Sequence, residues 1–325
     1  MSIRVLDEHM VRQLLPMDEC IEVMAEALAA LARGEVHNPL RFVVRPPDAP
    51  SLMGLMPAYR GGTQESDAAP LWGLKSVVIA PANAARGLDL HQGFVALFDG
   101  ETGETRAIMN AGGITAVRTA AVTAVATRLL ARDGSKTLAI LGAGIQGKAN
   151  LEAMRAVLDF DRVLAWSRTP GRAAAELDGV EEVATVEEAV RDADVVVTAT
   201  SAPEPILRRE WLKAGAHVNA VGSSIPTTRE LDTQTMADAA LFVDRRESTV
   251  NEAGDFLFPQ REGAIGPDHI RAEIGELLIG AAEGRRSDDE LTVFKSLGLA
   301  VEDLAAAEHV LRRAEAENVG AVVSL

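Results

Sequence analysis

Apolar positions recur every three to four residues over 17–33, placing Ile21, Met24, Ala25, Leu28 and Leu31 on one face with Gly34 just past the end, which predicts an amphipathic helix. Extended segments follow. Asn38–Pro47 reads as an extended segment with Arg41, Val43 and Arg45 on one side, and Leu52–Tyr59 and Trp72–Ile79 read as strands. His91–Gly100 and Thr105–Asn110 read as two more strands joined by a turn at Asp99–Gly103, so the first third predicts a separate, mostly antiparallel sheet. A long helix rich in small residues is predicted over Thr115–Arg132, with Arg118 and Thr119 in its first turns.

Thereafter the pattern changes to short, continuous apolar runs alternating with short amphipathic stretches. The runs Thr137–Leu141, Val163–Trp166, Val195–Thr200, Val218–Gly222 and Ala240–Asp244 have the character of strands buried on both faces, and the alternation predicts a doubly wound parallel sheet. A final helical pattern beginning at Leu299 falls outside that sheet and is expected to return to the first domain. Two domains result, residues 1–118 with 299–325 and residues 119–298, and the fold class is α/β.

The break between Leu141 and the next helical pattern carries the clearest chemistry. Gly142, Gly144 and Gly147 follow a buried strand in the spacing G-x-G-x-x-G. The first serves a tight turn, the second admits a pyrophosphate and the third lets helix pack on strand. The helix opening there offers free N–H groups to phosphate, which predicts dinucleotide binding. At the end of the next strand an NAD-selective site usually carries Asp or Glu. This chain has Ser167, Arg168 and Thr169, which suit a 2′-phosphate, so NADP(H) is expected to be preferred while NAD(H) remains possible.

Composition narrows the class. Charged residues are 25% of the chain and the formal net charge is −16, from 48 acidic and 32 basic residues, which disfavours nucleic acid and anionic membranes as partners. The first residues are charged where a secretory leader would be apolar, and no run approaches a membrane span, so a soluble, cytoplasmic protein is expected. Cys20, the single cysteine, is expected in the core, and no metal is expected. Lys75 stands out, because an ammonium inside an apolar strand is costly unless it is paired, snorkels at an edge or serves a site. His91 alone reads as structural.

Several segments together resemble the ornithine cyclodeaminase/mu-crystallin family: Met56–Tyr59, Gly73–Lys75, Ile114–Ala121, Leu141–Gln146, Asn219–Gly222 and Val293–Gly298. The resemblance spans nearly the whole chain. It implies a Rossmann-type nicotinamide-binding domain beside an α+β substrate and dimerisation domain, a homodimer, and a small 2-amino or 2-imino acid as substrate. By resemblance Arg41 and Arg118 hold the substrate carboxylate, Lys75 lies near the reacting carbon, and His91 falls where some reductases of the family have a histidine. Gly142, Gly144, Ile145, Gln146, Gly147, Thr119 and Ser296, with Ser167, Arg168 and Thr169, are the expected cofactor contacts. An ammonium beside two arginines should have a lowered pKa and exchange a proton with substrate nitrogen.

Two departures bear on the reaction. Ser224 stands where the cyclodeaminase branch has an aspartate, and Leu90 where it has a threonine. A hydroxyl is a poor general base near neutral pH, so Ser224 is expected to orient substrate or water. The expected activity is therefore NAD(P)H-dependent reduction of cyclic ketimine 2-carboxylates, 1-pyrroline-2-carboxylate or 1-piperideine-2-carboxylate, to proline or pipecolate. Ornithine cyclodeamination with catalytic NAD, an alanine-type amino acid dehydrogenase, and a binding protein without turnover are the rivals.

Overall fold

In a computed structural model, described for all residues but Met1, residues 63–68 and Leu325, the chain divides into two compact units, Met1–Arg118 with Leu299–Leu325, and Thr119–Gly298. The first unit holds β1 (Ser2–Leu6), α1 (Glu8–Leu14), α2 (Met17–Ala32), β2 (Val36–His37), β3 (Phe42–Val44), β4 (Leu52–Arg60), β5 (Leu71–Ile79), β6 (His91–Asp99) and β7 (Thr105–Asn110). The helix α3 (Ala111–Leu130) runs from this unit into the second.

The second unit continues with β8 (Thr137–Leu141), α4 (Ile145–Val157), β9 (Arg162–Trp166), α5 (Arg172–Glu176), β10 (Glu181–Glu182), α6 (Val186–Val190), β11 (Val195–Thr198) and β12 (His217–Ala220). It closes with α7 (Thr233–Asp238), β13 (Ala240–Val243), α8 (Arg246–Glu252), α9 (Gly254–Arg261), β14 (Ile270–Glu273), α10 (Ile274–Leu278) and β15 (Thr292–Lys295). The chain then returns to the first unit as α11 (Ala300–Glu317) and β16 (Ala321–Ser324).

The sheet of the first unit has the order β16-β1-β7-β6-β5-β4-β2, with β3 also on β4, and is antiparallel except for the β1–β7 pair. Its long central strands alternate as their sequences require. Met56, Ala58, Gly73, Lys75 and Val77 turn to the buried face, which packs against α11. Lys75 is thus on an interior strand between β4 and β6, not snorkelling at an edge. The buried side of α2 includes Met17, Cys20, Ile21, Met24 and Leu28, while Ala25 and Leu31 are only half-buried. Burial pushes the Cys20 thiol up to about 12, which makes it an inert core group.

The second sheet is all parallel in the order β10-β9-β8-β11-β12-β15-β13-β14. Strands β11, β12, β13 and β15 are buried at every residue, as layers on both faces demand.

Several elements differ from the pattern reading. Helix α3 begins at Ala111, four residues before the expected Thr115, because Asn110 Oδ1 accepts the Gly113 N–H at 2.8 Å and caps a turn that its glycines disguise; Arg118 and Thr119 therefore sit well inside the helix. Strand β15 between β12 and β13 was not anticipated, since Lys295 interrupts its apolar run; inside the fold its Nζ lies 3.1 Å from Asp255 Oδ2 and donates to the Ala220 carbonyl at 3.1 Å. The terminal strands β1 and β16 pair with each other and carried no pattern strong enough to name them.

Candidate active site

Lys75 points from β5 into the buried face and is 5% exposed. Its Nζ donates to both carboxylate oxygens of Asp303, at 3.1 and 3.0 Å. Arg118, from α3, is equally buried; its Nε donates to the same Asp303 Oδ1 at 3.0 Å and its Nη1 to Glu302 Oε2 at 2.7 Å. Two cations thus share one carboxylate, and a second carboxylate backs the guanidinium. Both acids lie in the first turn of α11.

The segment carrying Arg41 is tied to the same turn. Asn38 Oδ1 accepts the Val301 N–H at 2.8 Å and so caps α11, three residues before Arg41 in the chain. Arg41 is half-buried, and its charge acts on Lys75.

These surroundings set the lysine's acidity. Burial pulls Lys75 down to about 8; Asp303 opposes that, while the charges of Arg118 and Arg41 add to it. A group of this kind changes protonation state near neutral pH and can give or take a proton. His91, at the start of β6, is accessible yet surrounded densely enough that partial loss of hydration, followed by the charge of Lys75, holds it below the ordinary imidazole value. Lys75, Arg118, Arg41 and His91 therefore form one electrostatic neighbourhood in the first unit. Leu90, beside His91, is partly exposed.

The sequence reading missed Asp303 and Glu302. Adjacent acids in a first helical turn ordinarily answer the helix dipole, so only their partners across 184 and more residues give them a different meaning.

In the second unit the three glycines do separate jobs. Gly142 has φ +114°, and a Cβ there would come within 2.4 Å of the Ala199 carbonyl oxygen. A Cβ on Gly147 would stand 2.0 Å from the Gly142 carbonyl, so α4 can approach β8 only without one. Gly144 is the opposite case: nothing lies within 4 Å of its built Cβ, although it is the N-cap of α4 and no side chain caps that helix. Space over uncapped amide groups at a helix start fits the pyrophosphate of a dinucleotide. Ile145 is half exposed there, and Gln146 Oε1 accepts from Asn150 Nδ2 at 3.4 Å.

At the end of β9, Ser167 Oγ donates to the Thr169 carbonyl at 2.6 Å and shapes the turn. Arg168 is exposed and makes no hydrogen bond or ion pair among the described residues. Glu182 accepts the N–H groups of Gly171 and Ala174, both at 2.7 Å, so the start of α5 is already answered by a carboxylate. Thr119 is buried in α3, where its carbonyl accepts the Thr123 hydroxyl at 3.0 Å. Ser296 is buried at the end of β15, with its N–H on the Ala220 carbonyl at 3.0 Å.

Ser224 sits half-buried on the loop after β12. That loop is braced from below. Glu230, fully buried, accepts from Thr198 Oγ1, Thr200 N, Thr200 Oγ1 and Gly222 N at 2.7–2.8 Å. Asp255 Oδ1 accepts the Glu230 and Leu231 N–H groups at 2.8 and 3.0 Å, and Lys295 compensates Asp255. The neighbouring Ser223, not Ser224, is the serine locked in place, donating to the Thr228 carbonyl at 2.6 Å. Residues 250–252 end α8 and 254–261 form α9, while residues 63–68 lie outside the described residues.

The sequence profile of the ornithine cyclodeaminase/mu-crystallin family matches residues 2–318. Among curated relatives, the ketimine reductase mu-crystallin of Mus musculus is 42% identical over 297 residues, 89% of this chain and 90% of its own. A Delta(1)-pyrroline-2-carboxylate reductase of Bacillus cereus is 35% identical over 325 residues, 97% of this chain and 98% of its own. Among solved structures, the Thermococcus litoralis Delta(1)-pyrroline-2-carboxylate reductase in complex with NADH and L-proline superposes with a TM-score of 0.92 at 34% identity, covering 98% of this chain and 99% of that one. By profile, relatives and fold together, the chain belongs to the ornithine cyclodeaminase/mu-crystallin family.

Proposed function

We propose that the chain is an NAD(P)H-dependent reductase of cyclic ketimine 2-carboxylates, taking 1-pyrroline-2-carboxylate or 1-piperideine-2-carboxylate to proline or pipecolate. The observation that carries this reading is the buried Lys75 ammonium held beside the Arg118 guanidinium, with its pKa pulled down to about 8. A ketimine carboxylate presents an anion next to a basic nitrogen, and such a centre offers a cation for the first and a proton for the second.

In this mechanism Arg41 and Arg118 hold the carboxylate, and the fork of a guanidinium fixes the ring's orientation. Lys75 Nζ gives its proton to the imine nitrogen, which leaves C2 electron-poor. The nicotinamide cofactor, when bound, supplies the hydride that C2 accepts. His91 lines the same neighbourhood, and Ser224 orients substrate or water without acting as a base. The amine product then leaves and Lys75 is reprotonated from solvent.

Gly142, Gly144 and Gly147, with Ile145 and Gln146, would hold the cofactor's pyrophosphate at the start of α4, with Thr119 and Ser296 as further contacts. Arg168, Ser167 and Thr169 would receive a 2′-phosphate, which supports NADPH over NADH. The carboxylate at the start of α5 is one reason the side chain of Arg168 rather than that helix is assigned the role.

The working unit is assigned as a homodimer. The face of the first sheet turned away from α11 exposes Phe42, Val44, Met53, Trp72 and Phe94, an apolar surface that a second copy would cover. No helix among the described residues is long and apolar enough to cross a membrane.

Purified protein mixed with NADPH and 1-pyrroline-2-carboxylate tests the reading, with ornithine and NAD⁺ in parallel. Loss of NADPH absorbance in the first is expected. Ammonia and proline from ornithine without net NADH, and no NADPH loss in the first mixture, would replace the reductase with a cyclodeaminase.

A further inference from the structure

We propose that Asp303 is the positioning residue of this centre, holding the Lys75 ammonium and the Arg118 guanidinium side by side as one preassembled pair. This rests on the ketimine reductase reading and adds a residue to it.

The geometry is specific. Asp303 is 1% exposed, and both of its oxygens are engaged by cations: Oδ2 by Lys75 at 3.0 Å, and Oδ1 by Lys75 at 3.1 Å and by Arg118 Nε at 3.0 Å. A surface ion pair has no need of such sharing. Glu302 reaches Arg118 at 2.7 Å, whereas Asp303 spans both cations, so the two neighbouring acids are not equivalent.

Like charges explain why a carboxylate is required there. Lys75 faces Asp303 from α11, Arg118 from α3, Arg41 from the segment between β2 and β3, and His91 from β6. Glu302 on α11 hydrogen-bonds Arg118, and Cys20 on α2 feels the charges of both. Among the described residues, Asp303 is the anion that hydrogen-bonds the ammonium and holds its proton on. Without it, burial and two guanidiniums would strip the proton that reduction consumes.

Asp303 does not itself move a proton. Both of its oxygens are taken up as acceptors by the Lys75 and Arg118 donors. The balance of the step is one hydride to C2 from the cofactor and one proton to nitrogen from Lys75, turning C=N into CH–NH and leaving Lys75 neutral until solvent reprotonates it.

The test is Asp303→Asn, which keeps the shape and an Oδ1 acceptor for Arg118 Nε, read by the pH profile of kcat/KM for 1-pyrroline-2-carboxylate. The alkaline limb should move to lower pH by about one unit or more, with kcat at pH 7 down about tenfold and the NADPH Kd within about twofold. Asp303→Glu, which keeps the charge, should restore the limb. A uniform fall in kcat with the limb unmoved would reduce Asp303 to a structural residue and overturn the proposal. A ¹⁵N NMR titration of the Lys75 Nζ, assigned by its loss in Lys75→Met, gives the same answer without turnover: a lower midpoint in Asp303→Asn supports the role and an unchanged one overturns it. If the wild-type protein does not reduce the imine at all, the reductase reading falls while this titration still decides the part played by Asp303.

Discussion

Gly73 and Leu304 are in such close contact that a Cβ on the glycine would stand 2.8 Å from Leu304 Cδ1 and 3.1 Å from its Cβ. Gly73 shares the buried face of β5 with Lys75, and Leu304 follows Asp303 on α11. The missing side chain at 73 thus brings the helix close enough for the ion pair at 75. Gly73→Val is expected to push α11 off the sheet, destabilise the fold by about 1–3 kcal/mol and lower kcat/KM by at least about tenfold. Denaturant unfolding and steady-state kinetics on the same preparation check both. Unchanged kinetics would mean that the contact does not set the Lys75–Asp303 distance.

The lysine makes a signed pH prediction. Its pKa is pulled down to about 8, so it is protonated below that pH and neutral above it. Reduction, which uses the proton, should fall as pH rises through about 8, whereas oxidation of proline, which needs the neutral amine, should rise over the same range. Lys75→Met should lose about 10²–10⁴-fold in kcat while still binding NADPH. A profile flat across this range in the reductive direction would remove Lys75 as the acid.

Cofactor choice is expected to sit on Arg168. Losing a hydrogen-bonded charge costs about 1.5–3 kcal/mol, so Arg168→Ala should weaken NADPH binding by about tenfold or more and leave NADH nearly unchanged. Fluorescence titration of both reduced cofactors decides it. Equal losses for the two would assign Arg168 to the turn and not to a phosphate.

Lys295 is buried against Asp255 with 0% exposure on both side chains. Lys295→Met should destabilise by about 3–5 kcal/mol because it leaves an uncompensated buried carboxylate, and Asp255→Asn added to it should recover part of the loss. Thermal unfolding of the single and double variants measures this. No recovery in the double variant would mean that packing at 295, not charge, carries the cost.

The apolar sheet face gives a test of assembly. Trp72→Lys with Phe94→Lys should convert a dimer to monomers in light scattering at micromolar concentration. A monomeric wild-type protein would refute the assignment of that face.

Much of the fold was legible along the chain because burial imposes a period. Strands β4, β5 and β7 alternate, the parallel strands after residue 137 are continuously apolar, and α2 and α11 repeat every three to four residues, so each could be read locally. The glycine turn was legible for the same reason: Gly142 needs a backbone conformation, and Gly147 a close approach, that no other residue supplies. Strand β15 and the start of α3 were not legible, since a buried lysine and a pair of glycines contradict local expectation until Asp255 and the Asn110 cap are in place.

The site divides along the same line. Lys75 was conspicuous by itself, as a charge in an apolar alternation, and Arg41 and Arg118 could be named from the motifs around them. Nothing near positions 302 and 303 distinguishes Glu302 and Asp303 from acids answering a helix dipole. Their meaning arises only when α11 lies across β5 and beside α3, bringing residues more than 180 positions apart to within about 3 Å. Sequence alone determined most of the elements that form, because periodicity and backbone freedom act over a few residues. Tertiary structure decided which charges face one another, because electrostatic partners are chosen by distance in space.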